Sequence, residues 1–360
     1  MQVMFRWLAV KTAHANLFNT LLEQQTTMKL KPLLQSIAAN AALAVLLTHG
    51  AAVRAETVNI AYQYGADPAK LAQASAAYEK ATGWTINWRR FDTGADVVAA
   101  LASGDIQIGD VGSSPFAAAV SRGVPVEAVV VNALTGDSEA LVVRNGAHID
   151  KPQDLIGKTI ATPFVSTSHY SLLAALKHWG IRPDQVHIVN LGPTETIAAW
   201  SRGEIDAAYT WDPALGKAKE TGHVLVDSTQ VGKWGSPTFD LWAVRKDFAQ
   251  AHPDFVQKFV RVTVHANSDY QANGSSWTST SSQVAAIAKL SGASPADVPQ
   301  LLAGNRYPNA TEQASPALLG GGTARAVAAT AHFLQEQKKI DQALPDYSGA
   351  IDARFVAAAK

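Results

Sequence analysis

Asp105-Ile106-Gln107-Ile108-Gly109-Asp110-Val111 runs straight into Gly112-Ser113-Ser114-Pro115 and then into Phe116 to Arg122. The first run reads as a strand, the last as a helix, and the four residues between them as a turn that caps the helix. Such a turn leaves backbone N–H groups pointing outward, and with the positive end of the helix dipole it can hold an anion. The arrangement recurs further on. Thr159 to Phe164 is strand-like, Ser166-Thr167-Ser168-His169-Tyr170 is a second hydroxyl-rich turn, and Ser171 to Trp179 is helix-like. A fold that made the two turns face each other would grip one small anion from both sides.

Outward from these two units, strands and helices alternate. Thr57 to Tyr62 and Thr85 to Phe91 read as strands, and Asp67-Pro68 opens a helix that runs to Gly83. Ala95 to Ser103 is a helix closed by Gly104. Val126 to Val131 is a strand apolar enough to be buried on both faces. Glu139 to Val143, Val186 to Leu191 and Ile205 to Tyr209 continue the strands, with helices at Glu195 to Arg202 and Pro213 to Thr221. From Asp247 the chain is mostly helical: Phe255 to Tyr270, Ser281 to Leu290, Ala324 to Gln337. This is an α/β chain of doubly wound pattern. About 300 residues exceed one such domain, so two lobes are expected. Crossovers near Asp137-Ser138 and near Thr238–Asp240 would divide residues 56–137 plus 241–360 from residues 138–240.

The first 55 residues are read apart from the fold. Met28-Lys29-Leu30-Lys31 is a short basic start, Ile37 to Leu47 an apolar run, and Val53-Arg54-Ala55 supplies small residues at a cleavage position. That is a secretory signal peptide over 28–55, its apolar core too short to span a bilayer, and 1–27 is an upstream extension. Cleavage after Ala55 removes five basic residues and one acid from the thirty of each, leaving a net charge of −4. A nucleic-acid surface would be basic, so that class is disfavoured. The chain has no cysteine, hence no disulfide framework, no thiolate chemistry and no residue for a lipid anchor.

Enzyme readings lack their motifs. No serine sits in a G-x-S-x-G elbow, His169 and His178 are not spaced as in H-E-x-x-H, and no glycine-rich phosphate loop occurs. No cofactor or metal is expected.

Gly104-Asp105-Ile106-Gln107-Ile108-Gly109 with Gly112-Ser113-Ser114-Pro115 resembles the substrate-binding proteins of sulfonate and nitrate ABC transporters. Ser138-Glu139-Ala140-Leu141-Val142-Val143, the run Ser166 to Ile181, and Trp234-Gly235-Ser236-Pro237-Thr238-Phe239-Asp240 are the more specific stretches, and they point to taurine-type members. The resemblance covers 56–360. It implies a two-lobe periplasmic binding protein of type II, each lobe a doubly wound sheet flanked by helices, with the ligand in the cleft. It implies hinge closure on taurine and delivery by a monomer to the permease and ATPase of an inner-membrane ABC importer. It assigns the anion turns to Ser113, Ser114, Thr167, Ser168 and His169, and the ammonium acids to Glu139 and Asp240. His169 is either a ligand or a core or capping histidine. Asp212 departs from the family pattern, which has a neutral residue there. It either adds an acid near the amine or caps the helix after Pro213.

The residues fit that ligand on chemical grounds too. A sulfonate is always ionised and only accepts hydrogen bonds, so a turn rich in N–H and O–H donors suits it. An ammonium needs a carboxylate within a few ångströms, and Glu139 and Asp240 each sit at an expected crossover. Asp240, between Phe239 and Leu241, is hard to explain as a surface charge on a buried strand. Gln63, just past the first strand, and Trp211 are further candidates for the cleft wall. Longer alkanesulfonates and nitrate are the rival ligands, but neither carries an ammonium. A thiamine-pyrimidine-synthesis enzyme with the same lobes would be intracellular, against the leader.

Overall fold

Ten strands form two separate five-stranded sheets in the computed structural model, which describes residues 56–359. The expected signal peptide and upstream extension, residues 1–55, lie outside the described residues. In chain order the strands are β1 Thr57–Gln63, β2 Thr85–Phe91, β3 Ile108–Gly112, β4 Val126–Leu134, β5 Glu139–Arg144, β6 Thr159–Thr162, β7 His187–Asn190, β8 Ala207–Trp211, β9 Gly222–Asp227 and β10 Phe239–Arg245. The first sheet runs β2-β1-β3-β10-β4 and the second β7-β6-β8-β5-β9. The chain passes from the first sheet to the second between Leu134 and Glu139, and back between Asp227 and Phe239.

The sheets are mixed rather than parallel throughout. β10 lies antiparallel between β3 and β4, and β5 antiparallel between β8 and β9. The cause is the crossing itself. Each of these two strands is the first after a passage from the other sheet: residues 135–138 lead into β5, and the short helix Ser228–Lys233 precedes β10. β4, as apolar as expected, ends the first sheet, and its outer edge is covered by bridges to Ile351 and Arg306.

Each sheet has its own apolar core. Ile60, Ile108, Val111 and Trp242 pack with Phe116 of the helix Ser113–Ser121 and with Phe255, Phe259 and Val327 of the C-terminal helices. Leu141, Ile160 and Tyr209 pack with Leu172 and Leu176 of the helix Thr167–His178. The C-terminal helices therefore complete the first sheet's core, though they follow the second sheet in sequence. Among the described residues no helix is long and apolar enough to cross a membrane.

Two local expectations change. The helix expected from Asp67 to Gly83 is two, Ala69–Ala74 and Ala77–Thr82, broken where Ala76 takes a left-handed φ of 53°. No glycine or proline marks that break, so the sequence does not announce it. β9 and the short helix Ser228–Lys233 add to the expected elements.

Candidate functional site

β3 ends at Gly112, and the helix Ser113–Ser121 starts at the next residue. β6 leads through Ser166, whose side chain accepts from the His169 N–H at 3.0 Å, into the helix Thr167–His178. Both helices therefore begin at strand ends, with first-turn N–H groups that no helical carbonyl can reach. The two starts meet. A Cβ placed on Gly112 would fall 2.6 Å from Thr167 Cγ2, so only a hydrogen side chain lets them approach. Gly112, Pro115, Ser166 and Thr167 line one cavity between the sheets.

Five of the expected site residues line it: Gln63, Glu139, Thr167, Trp211 and Asp240. The other four, Ser113, Ser114, Ser168 and His169, lie next to lining residues but not on the wall itself. Ser113 is fully buried, and its Oγ accepts weakly from the Phe239 N–H at 3.4 Å. Ser114 Oγ is buried with no partner. Both begin the helix and carry first-turn N–H groups free of helical carbonyls. Ser168 is fully buried behind the wall and donates to Glu139. His169 is a packing residue. Its ring stacks on Phe164 at 4.9 Å, and its Nδ1 accepts from the Val165 N–H at 3.0 Å. Burial, with Lys339 nearby, lowers its pKa to about 3, so it brings no positive charge to a sulfonate.

Glu139 is caged. Thr167 and Ser168 donate to Oε1 at 2.6 and 2.7 Å, and Ser228 donates to Oε2 at 2.9 Å. The Thr167 and Ser168 hydroxyls, assigned by resemblance to the anion, are thus committed to a carboxylate. Burial still raises the Glu139 pKa against these three hydroxyls.

The cavity is more acidic than the sequence alone suggests. Asp67, Asp110 and Asp212 join Glu139 and Asp240 on its wall. One cation lies close: Lys70 Nζ donates to Asp67 Oδ2 at 2.5 Å, and both residues are buried. Burial works against the Lys70 charge, but Asp67 and then Asp110 hold its pKa above the ordinary value. Burial pushes the Asp110 carboxyl up to about 7 in spite of Lys70, and raises Asp240 well above the carboxylate range, with Asp110 adding to it. Burial likewise brings Asp212 up to about 6. Asp212 lines the cavity, and the Gly216 backbone N–H reaches its carboxyl.

Lys70 and Asn132 carry no distinguishing mark in the sequence, and Asp67 reads there only as a helix start. Asp110 does carry a usable signal. It is a charge inside the apolar run Ile106 to Val111, the same argument that singles out Asp240. Chemically, a cavity lined by five carboxylates and the starts of two helices complements a small zwitterion.

The NMT1/THI5-like family model matches residues 89–273. Over 317 residues the chain is 50% identical to the taurine-binding periplasmic protein of Escherichia coli strain K12, covering 88% of this chain and 98% of that protein. Among solved structures, the alkanesulfonate-binding protein SsuA of Xanthomonas axonopodis pv. citri, bound to MOPS, aligns with a TM-score of 0.68 at 22% identity over 86% of this chain and 99% of that one. The periplasmic aliphatic sulphonate binding protein SsuA of Escherichia coli aligns with a TM-score of 0.65 at 23% identity, over 80% and 90%. These two share the fold of paired α/β lobes. Half of all residues shared over nearly the full length of the Escherichia coli K12 protein sets the kinship: the chain belongs to the family of the taurine-binding periplasmic protein, within the NMT1/THI5-like proteins.

Proposed function

We propose that this protein captures taurine, or a closely similar aminosulfonate, in the cavity between its sheets and delivers it to an ABC importer. The observation that carries this is the meeting of two helix N-termini and five carboxylates on one small cavity, one of the carboxylates, Asp67, being paired with Lys70. The sulfonate would lie against the N–H groups beside Gly112 and Thr167. The ammonium would face Asp240 and its acidic neighbours. A ligand without an ammonium, such as nitrate or a simple alkanesulfonate, would leave the buried carboxylates uncompensated. The periplasm as its compartment follows the named relative, and cleavage after Ala55, action as a monomer and hand-over to a permease and ATPase complete the proposal. Capture rather than catalysis is supported by that relative's being a binding protein.

Calorimetry on the purified protein against taurine, ethanesulfonate, β-alanine and nitrate tests the reading. Taurine should bind tightest. Charge-assisted hydrogen bonds of roughly 1.5–3 kcal/mol each set the margin over ethanesulfonate, which keeps the sulfonate and lacks the amine. Equal affinity for these two would remove the ammonium from the reading.

A further inference from the structure

Three side chains of the first sheet meet the cavity from adjacent strands. On the β3–β10 ladder Asp240 pairs with Gly112 and Trp242 with Asp110, so Asp110 and Asp240 occupy diagonal positions on one face. Such positions are roughly 7–8 Å apart, which leaves room for one small cation between the carboxylates. On the β10–β4 ladder Asp240 pairs with Ala133 and Leu241 with Val131, so the register skips Asn132. That skip is a β-bulge, a device that re-aims one side chain. The backbone carbonyl of Asn132 accepts from Asn267 Nδ2 at 3.3 Å, while its side chain lines the cavity.

Two acceptor oxygens of these groups lack partners, although the Asn132 amide reaches the Asp110 carboxyl. Among the described residues, Asp110 Oδ1 and Asn132 Oδ1 are buried side-chain acceptors with no hydrogen bond, on residues that are 6% and 2% exposed. An orphaned buried acceptor is costly, and native proteins seldom keep two side by side without use for them. Glu139 across the cavity differs, since three hydroxyls already donate to it. Lys70 cannot compensate this wall alone, being bound to Asp67.

We propose that Asp110, Asn132 and Asp240 form a three-acceptor receptor for a primary ammonium, and that Asp110 sets the specificity for it. A primary ammonium carries three N–H donors, one for each of these side chains. The wall reads hydrogen-bond donors and not charge alone. A ligand keeping the positive charge but losing the N–H groups, as a trimethylammonium does, is refused. Gln63 is a positioning residue here: its Nε2 donates to the Asp110 carbonyl at 2.9 Å and ties the cavity end of β1 to this part of β3. The high pKa of Asp110 accords with a carboxyl waiting for a cation.

This rests on the aminosulfonate reading, so the test separates the two. Wild type, Asp110→Asn and Asn132→Leu are titrated at pH 8 with taurine, N,N,N-trimethyltaurine, β-alanine and ethanesulfonate. Asp110→Asn should lose about tenfold to a hundredfold in taurine affinity, the range of one or two charge-assisted hydrogen bonds, and change ethanesulfonate by less than about threefold. Wild type should bind trimethyltaurine at least about tenfold more weakly than taurine. Asn132→Leu should shift the taurine to ethanesulfonate ratio the same way by a smaller factor. Retained ethanesulfonate binding shows that each variant is folded. A taurine to ethanesulfonate ratio unchanged in Asp110→Asn, or trimethyltaurine binding as tightly as taurine, overturns the receptor. If wild type binds β-alanine but not taurine, the sulfonate assignment falls, and the loss of β-alanine affinity in Asp110→Asn then decides the receptor. If wild type binds neither amine, both readings fall.

Discussion

Asp240 and Asp110 set the residue scale. Asp240→Asn keeps the shape and removes a charge from the half-buried cavity wall. It should weaken taurine by about tenfold or more and ethanesulfonate little, because only taurine has an amine to lose. An unchanged ratio of the two affinities would make Asp240 structural, with Glu139 and Asp212 the next acids to test. Asp110 also makes stability depend on pH. The groups around it are Lys70, Asp67, Asp240 and the Asn132 amide. Its folded pKa, about 7, lies above the ordinary 3.8, so between those values the folded chain holds more of this proton than the unfolded one. Stability from this group is then fully present at the acid end and is lost as pH rises toward 7. Ligand-free protein with Asp110→Asn should lose less melting temperature than wild type between pH 5.5 and pH 8. Parallel curves for the two proteins would show that Asp110 does not titrate there.

At the scale of elements, the strand–turn–helix unit is the working component. Ser166 holds the start of the helix Thr167–His178, accepting from the His169 N–H and donating to the Pro163 carbonyl. Ser166→Ala should cost about 1 kcal/mol of stability, as lost caps do, and should weaken taurine and ethanesulfonate by the same factor. Thermal melts and the two titrations together check this, and a selective loss of taurine would contradict it. These units are the most legible feature of the sequence, because a strand period, a hydroxyl turn and a helix period follow one another without a break, over 105–122 and again over 159–179. The mixed sheet order is not legible, since β5 and β10 acquire their neighbours from segments about 65 to 130 residues away. The hydroxyl cage is hidden for the same reason. Thr167, Ser168 and Ser228 reach Glu139 only once β5 and both helices are packed. In sequence, Thr167 and Ser168 look the same whether they serve an anion or a carboxylate. Asp240 is legible because a charge between Phe239 and Leu241 contradicts its strand. The same contradiction holds at Asp110, where the helix turn that follows draws the eye away from it.

For the whole molecule, two crossings join the lobes, and the first is fastened from outside. Asn305 Oδ1 accepts from the Gly136 N–H at 2.9 Å and from Ser138 Oγ at 2.6 Å. Hinge closure is expected to bend at these crossings. Small-angle scattering should therefore show a smaller radius of gyration with saturating taurine than without, and an identical profile in both states would argue for a preformed site. The contact between Gly112 and Thr167 bears on this movement. The first belongs to one lobe, the second to the other, and nothing larger than a hydrogen fits between them. A single methyl at position 112 would act as a doorstop. Each wall would still present its half of the site to a passing molecule, but the jaws would stand ajar. Under the proposed function, such a variant would separate two events, touching the cargo and committing to it, and an importer would be offered a carrier that never finishes its handshake.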